Sequence, residues 1–493
     1  MHADSRTAVI RMTAVYCPGG RIKLMEIADP VRYAPLYLQV RDKILQRIVE
    51  GRQEAGSSIP TEQALAKTYG TSTSTIRQAI NLLVAEGVLI KRQGKGTFLT
   101  ERKTTISFLS WIAETSRGRE ILVELIRRFE EKNPAIAVSL IPTTFTDTRA
   151  ELVRMISSGK APDVAQIVSP WTTYFASMSA LAPLDQYLGR ENIAARFPDK
   201  DLCGGTYNGR LYSVAWGLCP LALIANPRVL QEAGVTLDSG ELELERFADI
   251  CRRVSTQTGR YAYGLNVRHD ETDFLRLYPF LQAFGGEFVD DAGQVVFNCP
   301  ENVEGFRWLK DFLQNSRIFT GDIYSIRDRF ARDEIAFMTD GPWIKYILEE
   351  LTGEQFDSRF LVVPNPSRPG RRPLTWNYNH ALAISAQSRN KYHAGLFIDQ
   401  VTNDPELSDF YFSATGHLHS NRSRLEDPVF TGEFFRAFRS QLAGAKCINA
   451  QNPMFEKAMV LTMDAVKRIL FEGVDVAREL NEKEHYLTML YYG

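Results

Sequence analysis

Apolar residues at Leu36, Val40, Ile44, Leu45 and Ile48 recur at helical spacing and predict a helix over 36–50, with Gly51 placed to stop it. Pro60-Thr61-Glu62 opens a second helix in which Thr61 is the N-cap and Leu65 and Ala66 face inward, and Gly70 ends it. Ser72 or Thr73 caps a third helix with apolar positions at Ile76, Ala79, Ile80, Leu82 and Leu83, closed by Glu86-Gly87. Val88-Leu89-Ile90 and Thr97-Phe98-Leu99 then flank the basic, glycine-containing run Lys91-Arg92-Gln93-Gly94-Lys95-Gly96, which is the pattern of a hairpin. Three helices followed by a basic wing make a winged helix-turn-helix. In that arrangement the third helix enters a major groove while the wing tip reaches a backbone or minor groove.

The pattern changes after residue 104. Ile106 to Trp111 alternates as a strand, Ser116 to Lys132 has helical spacing, and Asn133-Pro134 breaks it. A strand over 136–141, a helix over 149–156 and a strand around 164–168 follow. Strand, helix, strand, helix, strand is an α/β doubly wound order, in which ligands sit beyond the carboxyl ends of the strands. Trp111, Ser169-Pro170-Trp171 and Tyr174 fall at those ends.

Composition adds a division of charge. The 493 residues carry a formal net charge of −1, yet residues 31–103 hold twelve Lys and Arg against six Asp and Glu, so the remainder is acidic. A basic segment on an acidic body points to a local polyanion contact. The six cysteines (Cys17, Cys203, Cys219, Cys251, Cys299 and Cys447) are scattered without a CxxC, which fits free thiols in a reducing compartment. No run approaches the ~18 apolar residues of a membrane span, and the N-terminal 25 residues lack the continuous apolar core of an export signal. A cytoplasmic protein is expected. Its residues 1–33 read as a disordered tail, or as an extension ahead of a translation start at Met12 or Met25.

Residues 34–102 resemble the GntR family of bacterial regulators. The resemblance rests on Pro35-Leu36-Tyr37, Ile59-Pro60-Thr61-Glu62, Leu65-Ala66, Gly70, Ser72, Thr75-Ile76-Arg77-Gln78-Ala79-Ile80, Leu83, Glu86-Gly87 and Gly94-Lys95-Gly96-Thr97-Phe98. It implies a homodimer on a near-palindromic DNA operator. By position it also implies DNA contacts from Ser72, Thr73, Ser74, Thr75, Arg77, Gln93, Gly94 and Lys95. Thr73 and Gln63 stand where family members often carry Arg, which favours hydroxyl contacts to phosphate over bidentate guanine readout there.

Residues 104–493 resemble sugar-binding solute-binding proteins of ABC transporters, the group of the maltodextrin-binding protein. The carrying stretches include residues 207–214, Ile224-Ala225-Asn226-Pro227, Ala233-Gly234, Phe284-Gly285-Gly286, Ile335-Ala336-Phe337-Met338, Gly341-Pro342-Trp343, Val363-Pro364 and Ala383-Ile384-Ser385. The implied fold is α/β, a two-lobed periplasmic-binding-protein-like (type II) domain behind an N-terminal winged helix-turn-helix. Sugars stack their C–H faces on aromatic rings and hydrogen-bond through hydroxyls. Trp111, Trp171, Trp216, Trp343 and Trp376 are therefore candidate ligand residues, with Asp273, Asn377, Tyr378 and Asn379 as polar partners. Ala225 in place of the family's Tyr, and Glu245-Arg246-Phe247 in place of its Trp-Asp-Glu, leave the ligand open.

The combined reading is a transcriptional regulator whose operator binding is controlled by a small ligand, expected to be a sugar or oligosaccharide. No metal, cofactor or catalytic constellation is read. His417 and His419 lack a carboxylate or Cys at metal spacing in the sequence, and Gly285-Gly286 lacks the context of a dinucleotide site. Two alternatives are a solute-binding protein with a vestigial DNA module and a regulator with a pyridoxal-phosphate enzyme body. The latter needs a Schiff-base lysine, and Ser367-Arg368-Pro369-Gly370-Arg371 has none before it.

Overall fold

A computed structural model describes residues 12–16, 22–26, 35–50, 56–85, 87–100, 103–188, 203–267, 271–287, 294–372, 375–447 and 455–492. Gly51, Glu86 and Cys17 lie outside the described residues, as does the side chain of Asn377. The chain divides into two compact units, 1–103 and 104–493.

In the first unit, strands β1 (Met12–Tyr16) and β2 (Ile22–Glu26) pair antiparallel, Met12 opposite Glu26, within the stretch that the sequence pattern leaves as a tail. Helix α1 spans Leu36–Glu50, α2 Glu62–Tyr69 and α3 Thr73–Ala85. The Thr61 hydroxyl accepts from the Ala64 amide at 3.2 Å, satisfying one of the free N–H groups at the start of α2. Gly70 ends α2 at φ 60°, a left-handed conformation suited to glycine. Val40, Ile44, Leu65, Ile76, Ala79, Ile80 and Leu83 form the buried seam between the helices. Strands β3 (Leu89–Arg92) and β4 (Gly96–Leu99) make the wing, and Ser58 bridges to Phe98 on its other edge.

The second unit holds two five-stranded sheets. In the first lobe the strands run in the order Ser213–Gly217, His380–Ile384, β7 (Val164–Val168), β5 (Thr104–Ser110) and β6 (Ile136–Pro142). Strands β5, β6 and β7 are parallel, joined by helices α4 (Ser116–Lys132) and α5 (Phe145–Ser157), as βαβ crossovers require. In the second lobe the order is Ile318–Gly321, Tyr261–Asn266, Ile335–Asp340, Ala222–Ala225 and Leu361–Val363. The central strands of both sheets are buried on both faces, which is why they read as unbroken apolar runs.

Among the described residues the chain passes between the lobes at residues 218–221, 364–379 and 416–432. These segments are tied to one another. Leu218 bridges to Leu418 and donates to its carbonyl at 3.0 Å. The Cys219 amide donates to Asn379 Oδ1 at 3.3 Å.

Replacing Thr61 by Ala removes the cap of α2, so stability of the first unit should fall by about 1 kcal/mol. Denaturant melts of the full chain, followed by a probe in residues 36–100, check this.

Candidate functional site

Each unit carries a candidate site. On the first, Ser72, Thr73, Ser74 and Arg77 are exposed at the start of α3 with Thr75 half-buried beside them, and Gln93, Gly94 and Lys95 form the exposed wing tip. Ser72 Oγ accepts from the Thr75 amide at 3.1 Å, so Ser72 is the cap of α3. Gly94 (φ 70°) and Gly96 (φ 108°) supply the left-handed turn that β-branched residues resist. Arg77 is held by Glu62, Nε to Oε2 at 3.0 Å, and Lys91 Nζ lies 2.8 Å from Asn81 Oδ1 and 3.8 Å from Glu62. Glu62 thus gathers two cations beside α3 in exposed ion pairs of small worth.

On the second unit, a cavity opens between the two lobes with a free volume of about 60 Å³. The first lobe contributes Trp111, Glu114, Phe145, Thr146 and His380 to its walls; the second contributes Asn266, Leu275, Arg276, Ile323, Tyr324, Arg327, Trp343, Tyr346 and Ile347. Leu221 and Tyr378 come from the crossing segments. Trp111 directly follows the last residue of β5, and Asn266 is the last residue of its strand, so the cavity does sit at carboxyl ends of strands.

Aromatic packing shapes the cavity. Trp343 lies over Gly341, where a Cβ would fall 2.3 Å from the indole; that is what the Gly-Pro-Trp sequence provides. Its ring stacks on His380 at 5.0 Å and 15°, while Trp111 meets His380 edge-on at 5.0 Å. Trp171 is nine-tenths or more buried behind Trp111 and stacks on Phe145 at 6.2 Å.

Tyr378 lines the cavity, whereas Trp216, Trp376, Asp273 and Asn379 stand outside its lining. Trp216 is fully buried and stacked on Tyr411 at 4.1 Å, because its strand faces the core of the first lobe. Trp376 packs on Tyr278 at 4.8 Å. Asp273 is fully buried in the helix Glu271–Gln282, and Arg276, about one turn further on, is the residue that lines the cavity.

A buried ion cluster braces the second lobe. Asp340 has no exposed surface and accepts from Arg327 at 2.8 and 3.1 Å and from Arg276 at 3.3 Å. Burial alone would raise its carboxyl pKa; Arg327 and Arg276 outweigh it and hold the group below the ordinary aspartate value. Glu114 goes the other way. Burial raises its pKa, only partly offset by the Phe145 amide at 2.9 Å, the charge of Arg327 and the Tyr324 hydroxyl at 3.3 Å.

Contacts across the cleft hold the lobes together. The Tyr324–Glu114 hydrogen bond is one. In another, the Glu350 carboxylate of the second lobe accepts from the amides of Ser116 and Arg117 at 3.2 and 3.0 Å. Those are the first two N–H groups of α4, and Thr115 takes that of Gly118 at 3.0 Å. A negative group at a helix N-terminus is favourable.

Where the crossing segments meet, Cys219, His380 and His417 bring their polar atoms within 4.8 Å of one another, all buried. The Cys219 thiol donates to the Gly217 carbonyl at 3.2 Å and the imidazoles meet at 2.9 Å, the spacing of hydrogen-bonded neutral groups. Gly217 permits this, since a Cβ there would lie 2.8 Å from the His417 ring. The His380–His417 pair is a feature that the reading of His417 with His419 misses, because the partner comes from a strand 37 residues away.

Residues 124–433 match the family described as bacterial extracellular solute-binding protein. The chain belongs to that family. Residues 36–99 match the bacterial regulatory proteins of the gntR family. Over 94 residues the chain is 44% identical to a probable fructoselysine utilization operon transcriptional repressor of Escherichia coli (strain K12), covering 19% of this chain and 39% of that protein. It thus spans well under half of that relative's length. It is 22% identical over 276 residues to a maltotriose-binding protein of Pyrococcus abyssi (strain GE5 / Orsay), covering 55% of this chain and 58% of that one. Among solved structures, the GacH receptor of Streptomyces glaucescens GLA.O superposes with a TM-score of 0.70 at 20% identity, over 79% of this chain and 99% of its own. An ABC transporter solute binding protein from Thermotoga lettingae TMO, bound with alpha-D-tagatose, gives 0.71 at 20%, over 79% and 100%. At that identity the likeness shows the fold.

Within this solute-binding fold, sequence reasoning did not pick out Glu114, Arg276, Tyr324, Arg327 and His380. The nearest signal was the run Asn377-Tyr378-Asn379, which stops one residue before His380.

Glu350→Ala should expose the amides of Ser116 and Arg117, and hydrogen exchange there should speed several-fold; unchanged protection would show that the contact does not hold the lobes. Burial holds the His417 pKa at about 3 against an ordinary 6.5. Its share of stability is therefore complete above pH 6.5 and lost as pH falls from there toward about 3. Between about pH 7.5 and about pH 4.5 wild type should lose about 2–3 kcal/mol more than His417→Phe, read from urea midpoints.

Proposed function

We propose that this protein is a ligand-controlled transcriptional regulator of the cytoplasm: a GntR-type reader grips an operator as a homodimer, and a small carbohydrate bound between the lobes of the solute-binding unit sets that grip. The observation that carries the reading is the interlobe cavity, walled by Trp111 and Trp343 and by hydrogen-bonding groups from both lobes, on a chain that also holds a winged helix-turn-helix.

The names of relatives support a carbohydrate. The repressor related to residues in the first unit belongs to fructoselysine utilization, and another, 39% identical over 71 residues, is the repressor of a mannosyl-D-glycerate transport/metabolism system. The solved neighbours include proteins bound with acarbose, alpha-D-tagatose and maltose. The cavity as it stands admits only a few water-sized molecules. A sugar ring therefore enters as the lobes part, breaking the Glu350 and Tyr324 contacts, and is sealed in as they re-form. A ligand can shift that equilibrium only by its difference in affinity for the two states. Ligand contacts are assigned to Trp111 and Trp343, with Trp171 supporting them from behind. DNA contacts are assigned to Ser72, Thr73, Ser74, Thr75, Arg77, Gln93, Gly94 and Lys95.

A thermal-shift screen of maltose, D-tagatose and their phosphorylated forms should raise the melting temperature with at least one compound; no shift with any of them would refute the carbohydrate reading. Binding to the chain's own upstream DNA should persist at about 0.15 M salt. Lys95→Ala should weaken it and lower the salt slope by about one. Salt-labile, sequence-blind binding would instead mark the DNA module as vestigial.

A further inference from the structure

The proton positions around His380 follow from its neighbours. The Ile112 amide donates to Ser110 Oγ at 3.2 Å, which leaves the Ser110 proton for Gln166 Oε1 at 2.6 Å. With its oxygen so engaged, the Gln166 amide turns its NH2 toward His380 Nδ1 at 3.4 Å. An NH2 group only donates, so Nδ1 is the acceptor. His417 leads to the same conclusion independently. Its Nε2 lies 2.9 Å from His380 Nδ1, and its own Nδ1 is buried with no partner among the described residues. Orphaned buried N–H groups are rarer than under-satisfied acceptors, so the His417 proton sits on Nε2 and is donated to His380 Nδ1. Burial first, and then the adjacent His417, keep the His380 ring neutral. A neutral imidazole with a bare Nδ1 carries its hydrogen on Nε2. His380 lines the interlobe cavity, and its Nε2 hydrogen-bonds to none of the described residues. Trp343 against its face and Trp111 at its edge fix the plane of the ring.

We propose that His380 presents an Nε2–H donor to the bound ligand, held in that tautomer by Gln166 and His417, so that the cavity selects a ligand with an acceptor oxygen at this point. A hydroxyl, a ring ether or a carboxylate satisfies it, and an ammonium group is turned away. Arg276 and Arg327 line the same cavity with their guanidiniums engaged by Asp340, and Glu114 and Asn266 line it too, so the selection is the one made at His380. The ligand class is therefore one that offers an oxygen acceptor at His380. This rests on the cleft being the ligand site, as proposed above. Gln166 and His417 act as positioning residues.

Two measurements on the full chain separate this proposal from the broader one. Long-range proton–nitrogen NMR of ¹⁵N-histidine-labelled protein, assigned with His380→Phe, should show His380 as the neutral Nε2–H tautomer at about pH 7. A proton on Nδ1, or a charged ring, overturns the proposal whatever the ligand proves to be. Gln166→Glu places an acceptor at Nδ1 and should draw the proton there; an unchanged tautomer refutes the positioning role. His380→Phe keeps the ring against Trp343 but removes the donor. It should weaken whichever of maltose or D-tagatose binds by about tenfold. Unaltered sugar affinity overturns the proposal. If neither these sugars nor their phosphorylated forms bind wild type, the carbohydrate reading falls, and the NMR result alone decides the His380 donor.

Discussion

The solute-binding unit depends on the knot of hydrogen bonds where its crossing segments meet. Leu218 with Leu418 and Cys219 with Asn379 join different pairs of segments, and His380, the strand residue next to Asn379, meets His417 of the third. Two lobes with separate sheets are free to drift unless the passages between them are registered. Here the registering groups are neutral and buried, which makes each bond expensive to leave unmade. The same knot delivers His380 to the cavity wall, so the hinge and the site share a residue.

Electrostatics divides the walls into rigid and movable parts. Asp340 with its two arginines is buried on all sides, and removal of either kind of partner would strand a charge in the protein interior. That cluster fixes the second lobe's face of the cavity. Glu114 and Glu350 are less buried and reach across the cleft to groups of the opposite lobe. Bonds of this kind exchange with water more readily than those of the buried cluster. The molecule thus places its costly ion cluster within a lobe and its weaker ones between lobes.

Residues 36–99 of the first unit were legible nearly to the residue, whereas its paired strands Met12–Tyr16 and Ile22–Glu26 were not. The helix over 36–50 and the cap at Thr61 follow from spacing and from Gly and Ser/Thr chemistry, both local properties of the chain. Helix Ser116–Lys132 and the first strands of the body were legible for the same reason. The tryptophans were not. Trp111 and Trp343 line the cavity while Trp216 lies in the core, and all three are apolar residues near strand ends in the sequence. Which face of a strand looks at the cleft depends on how the sheet packs, and periodicity is silent on that.

Sequence by itself determined the two-part design, the order of most elements and the basic winged unit, because these depend on residue type and short spacing. Tertiary structure alone decided that Arg276 and Arg327 share Asp340, that Glu350 caps a helix more than 230 residues earlier in the chain, and that His380 takes its tautomer from Gln166 and His417. Partners separated by so much chain meet only when both sheets and all the crossing segments are in place. A hydrogen bond specifies its donor at a scale of tenths of an ångström, which no one-dimensional pattern carries.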